Sequence, residues 1–158
     1  QYLQQRNLPN PVVVSPDIGG VSRARAFAKG FGGAPLAMID KRKSVVPAVN
    51  VIGDVKDKTA IIIDDIIDTG GTLLTAAQAV KTAGARHVVA CATHGVLSPP
   101  ALSRLQHPVF DEVIITDTIP VPPHKRSDRL TVLSVAQLLG EAIKCIHHGA
   151  SVSDLLTS

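Results

Sequence analysis

Ile61-Ile62-Ile63-Asp64-Asp65-Ile66-Ile67-Asp68-Thr69-Gly70-Gly71-Thr72 is a continuous apolar run that ends in acids and then in a turn of glycines and hydroxyls. Consecutive β-branched residues suit a strand covered on both faces, and residues 71–83 read as the helix that follows it. The same kind of run recurs at 12–14, 36–39 and 88–90, with a further strand at 130–133. Helical stretches fall at 21–31, 100–106 and 135–148. Strand then helix, repeated, predicts an α/β fold: a three-layer sandwich with a mainly parallel sheet, in one domain over 1–158. Ligands of such sheets sit beyond the carboxyl ends of the strands, so the residues just after each strand carry the functional reading.

Composition narrows the function first. The chain has 158 residues, a net charge of +3, no Trp and 3% aromatic residues, so the stacking surface of a single-strand nucleic-acid binder is missing and a small anion fits the charge better. No apolar run approaches the roughly 18 residues of a membrane span, and no charged segment leads into an apolar one at Gln1. A cytoplasmic protein without membrane or nucleic-acid partners is expected. Cys91 and Cys145 stand apart without ligand spacing and are expected to be buried, reduced thiols.

The turn after 61–63 is the most informative. Thr69, Thr72 and the amides of Gly70 and Gly71, at a helix N-terminus, form a cradle for a phosphomonoester. Adjacent carboxylates repel, so Asp64 and Asp65 imply a cation or sugar hydroxyls facing them. After 12–14 comes Ser15-Pro16-Asp17-Ile18-Gly19-Gly20, then a helix whose first turns hold Arg23 and Arg25. Asp17 there either caps the helix or holds Mg²⁺ over a phosphate. After 36–39 comes Asp40-Lys41-Arg42-Lys43-Ser44, a basic stretch opening a loop that could neutralise charge during phosphoryl transfer. No GxxxxGK[ST] pattern is present, which excludes a P-loop nucleotide site.

The stretch Ile61 through Thr72, a strand with two acids and then Gly-Gly-Thr, resembles the phosphoribosyl diphosphate fingerprint of type I phosphoribosyltransferases. Val14-Ser15-Pro16-Asp17-Ile18-Gly19-Gly20, Ile39-Asp40-Lys41-Arg42, Thr93-His94-Gly95, Asp117-Thr118-Ile119-Pro120 and Ser151-Val152-Ser153 follow in order. Together they are similar to the C-terminal half of ribose-phosphate diphosphokinase, over residues 12–156. The resemblance implies transfer of the β,γ-diphosphoryl group of ATP to the anomeric hydroxyl of ribose 5-phosphate, giving phosphoribosyl diphosphate and AMP. It implies that Asp68, Thr69, Gly70, Gly71 and Thr72 hold the 5-phosphate, and that Asp64 and Asp65 hold the ribose hydroxyls. It further implies Asp17 as a Mg²⁺ ligand, Lys41 with Arg42 and Lys43 as the catalytic cations of a closing loop, and Ser151 and Ser153 as regulatory phosphate contacts. Family members are about twice as long and assemble into dimers or hexamers, so a homo-oligomer is expected.

The resemblance has departures. Lys43 stands where the family has arginine, and the loop after Ser44 is shorter. Two other readings share the fingerprint: a type I nucleobase phosphoribosyltransferase, which lacks the Ser-Pro-Asp-x-Gly-Gly and Asp-Lys-Arg elements, and a non-catalytic regulatory subunit that keeps the phosphate cradle. Away from these motifs, His147 and His148 read as solvated helix-end residues. His94 reads as a satisfied strand-end residue, and His124-Lys125-Arg126 with Arg129 as an exposed loop.

Overall fold

The computed structural model describes residues 1–42 and 48–156. Seven strands form one sheet: β1 (Pro11–Ser15), β2 (Leu36–Arg42), β3 (Ala48–Ile52), β4 (Thr59–Ile67), β5 (His87–Gly95), β6 (Glu112–Thr116) and β7 (Leu130–Leu133). Their spatial order is β3-β2-β1-β4-β5-β6-β7, and every pair is parallel except β2 with β3. Five helices accompany them: α1 (Tyr2–Gln5), α2 (Val21–Gly30), α3 (Gly71–Thr82), α4 (Ala101–Leu105) and α5 (Ala136–His147). Among the described residues no helix is long and apolar enough to cross a membrane.

Alternation along each central strand builds two cores. On one face Val12, Val14, Ala60, Ile62, Val88, Ala90, Val113 and Ile115 meet Leu73, Ala76, Ala77 and Val80 of α3 and Ala101 and Leu105 of α4. On the other, Val13, Ile61, Ile63, Val89 and Ile114 meet Ala24 and Ala28 of α2 and Leu3 of α1. Because both sets are apolar, the strands show no polar alternation and read as continuous runs. Ile61, Ile62 and Ile115 are fully buried, each contributing about 2–3 kcal/mol.

The crossover β1–α2–β2 moves one way along the sheet and β4–α3–β5 moves the other. Right-handed connections of opposite direction put α2 and α3 on opposite faces. The strand order therefore reverses between β1 and β4, and a crevice opens where their two following turns part.

Four parts of the chain differ from the expectation. Residues 48–52 pair with β2 as an antiparallel edge strand, which also extends β2 through Asp40, Lys41 and Arg42, so the basic stretch begins in a strand rather than a loop. Val49 and Ile52 are exposed, and of its described side chains Val51 alone packs against the core, so this strand exists mainly through pairing. Residues 112–116 form β6, whose short apolar run is lengthened by partners on both sides. The short α1 is fastened to β6 and β7 through Glu112: the Tyr2 and Thr131 hydroxyls donate to Oε1 at 2.6 and 2.5 Å, and Arg6 lies 3.4 Å from Oε2. Finally, α5 forms as expected but buries none of its residues, and Leu138, Leu139, Ile143 and Ile146 are exposed. Cys145 lies on α5 and is not buried. Cys91 is partly buried against the α2-side core, and burial pushes its thiol up to about 12.

Gly53 follows β3 at φ +111°, and a Cβ there would lie 2.9 Å from the Ala37 Cα. Gly53→Ala combines a forbidden backbone region with a backbone clash and is expected to cost about 2 kcal/mol or more, lowering Tm by ~5 °C or more in a thermal melt.

Candidate functional site

The turns after β1 and β4 share one recess of about 290 Å³, lined by Asp17 and by residues 64–73. Four carboxylates, Asp17, Asp64, Asp65 and Asp68, face it together with the Thr69–Thr72 turn. A larger recess of about 420 Å³ lies on the α2 face among Tyr2, Phe27, Phe31, Cys91 and Ile114, and its walls are mainly apolar.

The Thr69–Thr72 turn follows from backbone geometry. Gly70 takes a left-handed conformation (φ 72°) that glycine adopts without a Cβ penalty, and it caps α3 without any side-chain hydrogen bond. The Leu74 N–H makes the first helical bond, to the Gly70 carbonyl at 3.0 Å. The amides of Gly71, Thr72 and Leu73 thus have no partner within the helix, and the first turn carries no acid to occupy them. A bound anion would satisfy them.

The turn after β1 is held from inside. Ser15, fully buried, donates its hydroxyl to the Asp17 carbonyl at 2.6 Å, and Asp17 Oδ1 accepts the Gly20 N–H at 2.9 Å. A Cβ at Gly20 would stand 2.8 Å from Ser15 Oγ, which explains the glycine. Asp17 therefore braces the turn before α2, whose N-cap, Gly20, has no side-chain cap bond, while its carboxylate borders the recess.

Asp64 and Asp65 meet a cation, one of the two partners their adjacency implies, and it comes from the protein. Arg23 Nη1 donates to Asp64 Oδ1 at 3.1 Å and Nη2 to Asp65 Oδ2 at 2.5 Å. Sequence reasoning placed Arg23 in the first turns of its helix without giving it this partner. Burial, opposed in part by the Asp65 N–H, raises the Asp64 carboxyl above its ordinary value. Desolvation pushes the Asp65 carboxyl up, but the hydrogen bond with Asp64, the guanidinium of Arg23 and nearby backbone N–H groups together outweigh it and hold it below its ordinary value.

The other expected residues fall elsewhere. Lys41 and Arg42 end β2, whereas Lys43 and residues 44–47, the first part of the stretch expected to be a shorter loop, lie outside the described residues. Ser151 and Ser153 are exposed beyond α5 and do not line the recess. His94, at the end of β5, has Nδ1 2.9 Å from Thr118 Oγ1 and is satisfied there. His147 and His148 are exposed. Lys125 departs from the exposed-loop expectation: it is partly buried and donates to the carbonyls of Val96 and Leu97 at 3.3 and 3.0 Å.

A mainly parallel sheet with an open helix N-terminus at this reversal point defines a phosphoribosyltransferase-like α/β protein. An adenine phosphoribosyltransferase from Giardia lamblia shares the fold at a TM-score of 0.55 and 14% identity, covering 84% of this chain and 73% of its own. The comparison sharpens with phosphoribosylpyrophosphate synthetase from Mycobacterium smegmatis: TM-score 0.87 and 44% identity over 94% of this chain and 49% of that one. Ribose-phosphate pyrophosphokinases from Nostoc sp. and Gloeobacter violaceus are 56% and 55% identical over 98% of this chain and 48% of their own length. The family described as the phosphoribosyl synthetase-associated domain matches residues 33–157, and the chain belongs to it. It spans about half the length of the curated relatives it matches.

Arg23→Met leaves two adjacent carboxylates without their shared cation, so both pKa values rise. In the wild type the lowered Asp65 carboxyl contributes stability that is present above its unfolded value and lost as pH falls through its lower folded value, whereas the raised Asp64 carboxyl costs stability while ionised, more so without Arg23. The variant is expected to lose about 0.5–1 kcal/mol at pH 7 and to converge on the wild type only as pH falls below the ordinary carboxylate range, as followed by thermal melts at descending pH.

Proposed function

We propose that this chain is the C-terminal, ribose 5-phosphate-holding half of a ribose-phosphate diphosphokinase. The whole enzyme moves the β,γ-diphosphoryl group of ATP onto the anomeric hydroxyl of ribose 5-phosphate and releases AMP. The observation that carries the reading is the shared recess: an unpaired helix N-terminus for the phosphate and paired carboxylates for the sugar, one cradle for one molecule. In this reading the amides of Gly71 and Thr72, with the Thr69 and Thr72 hydroxyls and Asp68 beside them, hold the 5-phosphate. Asp64 and Asp65 accept hydrogen bonds from the ribose hydroxyls, with Arg23 fixing their spacing. The substrate supplies the nucleophile, so no covalent enzyme intermediate is required.

Among the described residues no three His, Cys, Asp or Glu side chains are grouped to hold a metal. Magnesium commonly binds through one or two carboxylates plus substrate phosphates, and the single carboxylate of Asp17 at the recess fits that mode. When bound there, Mg²⁺ would neutralise phosphate charge during transfer. Lys41, Arg42 and Lys43 are the proposed cations for the transferring diphosphoryl group. A regulatory phosphate contact at Ser151 and Ser153, a homo-oligomeric state and a cytoplasmic location complete the reading.

Titration calorimetry tests it. Saturable binding of ribose 5-phosphate is expected, weakened about tenfold or more in Asp64→Asn, the scale of a lost charge-assisted contact. AMP formed from ATP, ribose 5-phosphate and Mg²⁺ would assign the transfer to this chain. Binding without AMP would assign it the substrate-holding part, and absence of binding would overturn the proposal.

A further inference from the structure

The segment after β5 buttresses the phosphate turn from below. The N–H groups of Val96 and Leu97 both donate to the Ile67 carbonyl, at 3.0 and 3.1 Å. Leu105 Cδ2 and the Ala101 Cα of α4 lie 3.6 and 3.8 Å from where a Gly70 Cβ would stand. From the same helix Arg104 reaches across, and its Nη1 donates to the Thr69 carbonyl at 2.9 Å. A Cβ at Gly71 would lie 3.3 Å from that nitrogen, so the glycine leaves the guanidinium room against the backbone of the turn.

The sign of the charge is the informative part. Arg104 sits at the N-terminus of α3, where unpaired N–H groups already present positive partial charge. A cation is disfavoured there, and an acid is the usual complement. Arg104 makes no ion pair among the described residues: of the four carboxylates at the recess, Asp64 and Asp65 pair with Arg23, and Asp17 and Asp68 form no ion pair with Arg104. A guanidinium held against an open helix N-terminus with no acid paired to it makes sense when an anion completes the two.

We propose that Arg104 is a positioning residue for the bound phosphate. By holding the Thr69 carbonyl away from the recess, it aims the Gly71 and Thr72 amides, and it adds positive potential where the phosphate binds. The inference rests on the ribose 5-phosphate reading above.

The test compares wild type, Arg104→Gln and Arg104→Lys in calorimetric titrations with ribose 5-phosphate and with inorganic phosphate, alongside ligand-free thermal melts. Arg104→Gln is expected to weaken both ligands by about tenfold, the scale of one charge-assisted contact, while its ligand-free Tm equals or exceeds that of the wild type. Arg104→Lys keeps the charge but not the planar fork, so it should fall between. Unchanged affinity in Arg104→Gln would overturn the inference alone. So would a lowered ligand-free Tm with losses that Arg104→Lys does not relieve, because that pattern marks a purely structural tether whose charge does nothing for the phosphate. Failure of the wild type to bind ribose 5-phosphate would overturn the underlying reading, and this inference with it.

Discussion

Everything at the site depends on β1 lying beside β4, in the register Val12 to Ala60, Val13 to Ile61 and Val14 to Ile62. That pairing places Asp17 and Asp64 at neighbouring strand ends although they are far apart in sequence. Because connections from these two strands run in opposite directions and keep one hand, neither α2 nor α3 covers the ends. The crevice is thus a consequence of chain winding, and no side chain has to be sacrificed from the core to make it. The apolar residues of the two strands stabilise the pairing, and the polar residues just beyond them are free to be selected by chemistry.

The recess brings acids and cations into close quarters with different tasks. Arg23 lets two carboxylates share a strand end without mutual repulsion, and its two nitrogens fix where their oxygens point. The open amides at α3 provide for an anion on the other side. In the proposed function, carboxylates for hydroxyls and amides for phosphate, laid a few residues apart on one continuous turn, would recognise a phosphorylated sugar by its two unlike ends. Such an arrangement is set before the ligand arrives, so little reorganisation is needed on binding.

Much of this was legible in sequence because, at residues 61–72, fold and chemistry occupy the same short stretch. A buried strand, its acids, a glycine turn and a helix start can be read together without knowing what packs where. Arg23 and Arg104 were not legible in the same way. Their partners lie 41 and 42 residues away in the first case and 35 in the second, and only the order of strands and the path of α4 bring them together. The edge strand β3 escaped for another reason: Val49 and Ile52 are exposed, and of its described side chains only Val51 packs against the core, so its burial pattern is weak. Lys125 looked like one of a cluster of solvated cations, and its two carbonyl partners belong to a distant turn.

The isolation of α5 has a thermodynamic meaning. A helix of 12 residues that buries none of them gains little from tertiary packing, and helices of that length are marginal in water on their own. Its start is pinned by the Val135 N–H, which donates to Asp117 Oδ1 at 2.8 Å, and by little else. In this chain by itself, amide protons of α5 should exchange through local opening at almost no free-energy cost. Those of β1, β4 and β5 should exchange only when the whole sheet comes apart. The chain therefore has no single stability: a cooperative sheet with α2 and α3 forms one unit, and the last helix follows its own equilibrium.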